Sequence, residues 1–131
     1  MNNYYDSATG EWVTDWTRYQ AVLAQPRFAA VADSTLLSWP AHSAFACLLE
    51  LLEAVPEDTV HYVGSGPLED LVNGHAPEII DAIEHALPNH PRLQRAVLEV
   101  NLTRGALPAA IEARIVSAFG PRFQLLEPDR G

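Results

Sequence analysis

A chain of 131 residues with 48% apolar content is long enough to bury one hydrophobic core and too apolar for a disordered acidic tail. Its net charge of −9, from 17 acids against eight arginines and no lysine, favours basic partners and argues against binding nucleic acid. A lone cysteine, Cys47, excludes an internal disulfide and fits a reducing compartment.

The N-terminal Met1-Asn2-Asn3-Tyr4-Tyr5-Asp6 lacks the basic and apolar regions of a signal peptide. No apolar run approaches the roughly 20 residues of a membrane span. The expectation is a cytoplasmic protein without membrane contact, with residues 1–8 and 127–131 as frayed ends. Trp12, Trp16, Tyr19 and Leu23 follow a helical stripe that stops near Gln25-Pro26. Such a stripe reads as core, with Tyr4 and Tyr5 as the more exposed aromatics. Ala29 to Trp39 reads as a shorter helix closed by Pro40. Phe45, Leu48, Leu49 and Leu52 make the next stripe, ending before Pro56, with Cys47 as a small buried hydrophobe within it. Thr59–Val63 is β-prone by composition but has no partner strand, so it reads as a short helix or an extended connection.

Proline organises the rest, because its missing N–H fits the first turn of a helix. Pro67, Pro77, Pro91 and Pro108 each precede an apolar pattern of helical period. The sets are Ile79, Ile80, Ile83 and Leu87, then Leu93, Val97 and Val100, then Ile111, Ile115 and Phe119. Asn73-Gly74, Pro88, Gly105 and Gly120-Pro121 supply the stops. The fold class expected is all-α: one domain over 1–131, with seven or eight short helices packed as antiparallel helical hairpins.

The most distinctive local stretch is Gly66-Pro67-Leu68-Glu69-Asp70-Leu71. Its pattern predicts Gly66 as a helix cap, Pro67 as the first helical residue, and Leu68 facing the core. Glu69 folds back onto the Gly66 N–H, and Glu69 and Asp70 sit at the positive end of the helix dipole. A phosphate loop is disfavoured by the two carboxylates and by the absence of Gly-Lys-Ser/Thr. Together with Trp12-Val13-Thr14-Asp15-Trp16 and Ile79-Ile80-Asp81-Ala82-Ile83-Glu84, this segment resembles an uncharacterised family of small all-helical bacterial proteins, a domain of unknown function. The resemblance runs from about Trp12 to Val116, with Phe45 near the place where such relatives carry a Trp. It implies a single helical domain and brings no activity with it.

Charge is the remaining signal. Residues 29–90 hold all five histidines and ten carboxylates, with no arginine. The candidate partner-binding set is Glu50, Glu53, Glu57, Asp58, Glu69, Asp70, Glu78, Asp81 and Glu84, gathered into one electronegative patch. The function expected is a non-enzymatic, acidic protein-interaction domain that meets a basic partner, such as an immunity- or antitoxin-like inhibitor. An alternative is a small-molecule binder or enzyme using Glu69 or Asp70 and a nearby histidine in a helical pocket. A third reading is a homodimer through the aromatic first helix. Ser65 with His61 or His75 and Asp70 behind can be drawn as a catalytic set, but no nucleophile elbow accompanies it. Asp81 and His85 have metal-ligand spacing, which an ordinary exposed i, i+4 pair explains as well. No catalytic residue, metal or cofactor is expected.

Overall fold

The computed structural model describes residues 4–129, and its buried side chains join in one continuous core. The chain is mostly helical. It opens with a small hairpin that the sequence reading did not contain. Strand β1 (Tyr4–Asp6) pairs antiparallel with β2 (Glu11–Val13), with Tyr5 opposite Trp12. The turn between them is built by Asp6 and Gly10. Asp6 Oδ1 accepts from the Ala8 N–H at 2.9 Å, and the Asp6 carbonyl accepts from the Gly10 N–H at 2.8 Å. Gly10 has φ +73°, a left-handed position that suits glycine. Each strand is three residues long, too short for alternation to show. Tyr4–Asp6 is thus paired where fraying was expected. Trp12 lies in a strand, not in the first helix, and its side chain lies outside the described residues, as do Met1–Asn3.

Helix α1 (Asp15–Leu23) starts at a reciprocal cap. Thr14 Oγ1 accepts from the Thr17 N–H at 3.2 Å, and Thr17 Oγ1 accepts from the Thr14 N–H at 2.6 Å. Tyr19 and Leu23 are buried, but Trp16 is 48% exposed, so the aromatic stripe is only partly core. The expected helix over Ala29–Trp39 is shorter than its pattern. Helix α2 (Ala29–Ala32) stops at Asp33, Ser34 takes a left-handed φ of 59°, and a 3-10 turn follows at Leu36–Ser38. Asp33-Ser34-Thr35 offers side-chain hydrogen bonds that compete with helix, which accounts for the break.

Helix α3 (Ala41–Ala54) matches its pattern and buries Phe45, Cys47, Leu48, Leu51 and Leu52. The ambiguous stretch is helical: a 3-10 turn at Glu57–Thr59 leads into α4 (Val60–Val63). The helix start expected at Gly66-Pro67 is present as a kink, with Gly66 off helical dihedrals and Pro67 first in the helical run beyond it. The chain turns through a π-type coil at Gly64–Leu68 and continues as α5 (Glu69–Ala86), with Gly66 off helical dihedrals at φ −114°, ψ −106°. The stop at Asn73-Gly74 is a bend at His75 (φ −138°, ψ 21°), after which Pro77 opens the second half of α5. Proline's missing N–H and its ring account for a bend there. Helices α6 (Pro91–Val97) and α7 (Ala109–Phe119) follow, and Val100, expected on α6, is buried in the segment beyond it.

Helix α5 is the central element. It packs against α3 and α7, while the Gly64–Leu68 coil packs against α6. Leu68, Leu71, Ile79, Ile80 and Ile83 are almost completely buried. The approach of the coil to α6 is closest at Gly64, where an added Cβ would lie 2.1 Å from the Ala96 carbonyl oxygen. Near the C-terminus the Arg104 N–H donates to the Leu126 carbonyl at 2.8 Å, and the Leu126 N–H donates to the Leu102 carbonyl at 2.9 Å. Glu127 meets Arg104 at 3.2 Å. Of the expected frayed tail, Glu127 is therefore anchored, and Arg130 and Gly131 lie outside the described residues.

Candidate functional site

The nine predicted acids do not form one open patch, because arginines from outside residues 29–90 fold onto them. Asp58 takes Arg18 in two hydrogen bonds, at 2.6 and 3.2 Å. Glu57 takes Arg95 at 3.0 Å, and Asp81 and Glu84 both take Arg114. The paired carboxylates hold the Arg114 guanidinium above its ordinary pKa. Opposite charges placed 30 to 40 residues apart in sequence have found one another in space. Glu53 and Glu78 stand 3.9 Å from His90 and His75. Glu69 does not fold back onto Gly66, the residue at the kink. Its Oε1 accepts from the Asn101 N–H at 2.7 Å, and Asn73 Nδ2 bridges the Glu69 and Asn101 carbonyls at 2.9 and 3.1 Å. Glu69 is thus a clasp between α5 and the segment after α6. Glu50 and Asp70 are exposed and make no hydrogen bond or ion pair with another described residue.

The catalytic arrangement does not assemble. Ser65 Oγ donates to the His61 backbone carbonyl at 3.0 Å, not to an imidazole. The His75 ring meets the Leu37 carbonyl at 3.0 Å, and the His61 ring lies 4.1 Å from Tyr62, centroid to centroid. Asp81, the candidate metal ligand beside His85, is bound by Arg114. Among the described residues no group of three His, Cys, Asp or Glu comes together to hold a metal, and no helix is long and apolar enough to cross a membrane. Cys47 is buried, and burial with Glu50 nearby raises its thiol pKa.

What the fold does gather is a groove of about 430 Å³ between α1, the 29–38 segment and the Gly64–Leu68 coil. One wall is aromatic. Trp16 meets Tyr62 edge-on at 4.9 Å between centroids, and Tyr19 lies 5.6 Å from Trp16 and 5.3 Å from Tyr62. Tyr62 is fixed by its hydroxyl, which donates to Asp15 Oδ1 at 3.1 Å. Leu36, Leu37 and Ser34 form the opposite rim, and Ser65, Gly66, Pro67 and Asp70 lie along the coil side. The distinctive motif thus reaches the surface in this groove, through Gly66, Pro67 and Asp70, while Leu68 is in the core as expected. Of the predicted pocket residues Asp70 is present, Glu69 is not, and no histidine lines the groove. Sequence reasoning missed Trp16, Ser34, Leu37 and Tyr62 as a set. The available signal was the turn-forming Asp33-Ser34-Thr35, which ends α2 and precedes the turn that brings Leu37 to the groove. A separate depression holds Glu57, Asp58, His61, Arg95, Glu99 and Arg122, of which Glu57 is paired with Arg95 and Asp58 with Arg18.

Burial of Tyr19 pushes its pKa up to about 12 from 10.0. The folded state keeps a proton that the unfolded chain loses above pH 10.0, so stability must fall as pH rises from there towards about 12. The loss expected across this range is about 2–3 kcal/mol. Denaturant unfolding at stepped alkaline pH measures it, and Tyr19→Phe should reduce the slope, leaving the part due to Tyr62, whose pKa burial and the Asp15 hydrogen bond also raise. An equal slope in that variant would assign the loss elsewhere. Comparison of the chain with protein-family models, with curated proteins and with solved structures found no match.

Proposed function

We propose that this chain is a non-enzymatic interaction domain whose acidic surface meets a basic partner protein, most concretely as an immunity- or antitoxin-like inhibitor covering a cationic site. Its scaffold in this reading is the set of seven or eight short helices stacked as antiparallel hairpins, in a cytoplasmic setting that suits a buried free thiol. The resemblance to small bacterial helical proteins belongs to the same proposal.

The observation that carries the reading is the charge left over after folding. Among the described residues three arginines, Arg18, Arg95 and Arg114, pair with the ten carboxylates of residues 29–90, which leaves seven negative charges there. Glu50, Glu53, Asp70 and Glu78 present part of that excess at exposed positions without an arginine partner among the described residues. A field of one sign speeds encounter with a cationic surface and suppresses acidic competitors.

An arginine-rich synthetic peptide and its glutamate-rich counterpart test this on the full chain. The arginine-rich peptide should bind with an association rate that falls roughly tenfold from low to physiological salt, with a smaller change in dissociation. Equal binding of both peptides, or association indifferent to salt, would count against the proposal.

A further inference from the structure

We propose that the groove between α1 and the Gly64–Leu68 coil seats a single arginine side chain of the basic partner, its guanidinium donating to Asp70 and stacking on the aromatic wall of Trp16 and Tyr62. This rests on the interaction reading and names the contact that gives it selectivity.

Three observations converge. First, Asp70 lines the groove and has no hydrogen bond or ion pair with a described residue, whereas Glu57, Asp58, Asp81 and Glu84 have each taken an arginine of this chain. Asp70 is therefore a carboxylate still available for the same chemistry from outside. Second, Trp16 remains 48% exposed at the mouth although Tyr19, one turn on, is buried. An aromatic platform beside a carboxylate suits a planar cation, which stacks on the ring and donates to the oxygens together. Third, the hydroxyl-bearing Ser34 and Ser65 flank the groove, and Ser65 keeps acceptor capacity after its own proton goes to the His61 carbonyl. A guanidinium has five donors to distribute among such acceptors. A lysine ammonium, a compact and strongly hydrated charge, would use the carboxylate but gain less from the aromatic wall.

The probes are arginine blocked at both ends and its neutral isostere, blocked citrulline, titrated into the full chain and followed by amide chemical shifts. Blocked arginine should move the Ser65, Gly66 and Asp70 amides in a saturable way, and citrulline should bind at least about tenfold more weakly, the scale of one charge-assisted hydrogen bond. Asp70→Asn, at an exposed and unpaired position, should keep the wild-type melting temperature and lose that preference. Equal binding of the two probes, shifts centred on Glu50 and Glu53, or an unchanged preference in Asp70→Asn would each overturn the groove assignment. The arginine-rich peptide separates the two levels. If it binds wild type and Asp70→Asn equally, the basic-partner reading stands and the groove inference falls. If it binds neither, both fall.

Discussion

Gly64→Ala is expected to destabilise the fold by about 3 kcal/mol, a fall of roughly 10 °C in Tm. The cause is local and steric. The new methyl group would lie 2.1 Å from the Ala96 carbonyl oxygen and 2.9 Å from both the Ala96 carbonyl carbon and Glu99 Cβ. The nearest of these atoms belong to backbone, so no side-chain rotation relieves the overlap, and α6 must move away from the coil. Leu93, Ala96 and Val97 would lose packing with it. Gly74→Ala is the matched control. Its methyl group would meet only Leu37 Cδ2 at 3.5 Å, an ordinary contact, and alanine favours helix over glycine by up to about 1 kcal/mol. Thermal unfolding of the two variants should therefore diverge in sign or at least in size. Equal losses would mean that glycine matters here through chain flexibility and not through the approach of the coil to α6.

Arg92→Leu is expected to cost about 2–4 kcal/mol. Arg92 Nη1 donates to the Leu52 and Val55 carbonyls at 2.5 and 2.6 Å, groups at the C-terminal end of α3 that lack an intrahelical partner. The same charge sits favourably at the negative end of that helix's dipole. Leucine would fill some of the space but leave both carbonyls unsatisfied in a part-buried site. Arg92→Lys should recover part of the loss. Arg95→Ala offers the contrast, because its ion pair with Glu57 is between exposed side chains and should contribute less than about 1 kcal/mol. Because the partners of Arg92 are carbonyls, the cost of Arg92→Leu should also stay constant between pH 5 and pH 8 in denaturant titrations. A marked pH dependence would point to a carboxylate partner instead.

The helices with strong punctuation were legible from the chain. Pro40 and Pro56 bracket α3, and Pro108 with Gly120 brackets α7, so period and boundary agree. The motif was legible as a break at Gly66 with Pro67 after it, but not the way the chain runs on from α4 into α5 with only a kink between them. Proline permits both outcomes, and packing of Leu68 into the core decides between them. The N-terminal hairpin escaped because three-residue strands carry almost no periodicity. The charge arrangement was legible only in its sum. Arg18 reaches Asp58, Arg95 reaches Glu57 and Arg114 reaches Asp81 across more than 30 residues each, and no local pattern specifies such pairings. The groove has the same origin, since Trp16, Leu37 and Asp70 come from three separate segments that only tertiary packing brings to one place.

The bend at Gly64–Leu68 also supplies one side of the groove, through Ser65, Gly66 and Pro67. Leu68, next in the chain, is fully enclosed, so that side can yield only when the interior itself opens. The facing rim, Ser34 to Leu37, is made of short turns held by the buried Leu36 side chain and by the His75 ring on the Leu37 carbonyl at 3.0 Å. Widening this recess therefore means either lifting the Leu37 carbonyl off the His75 ring or drawing Leu36 out of the interior, so its width is tied to α5 on both sides.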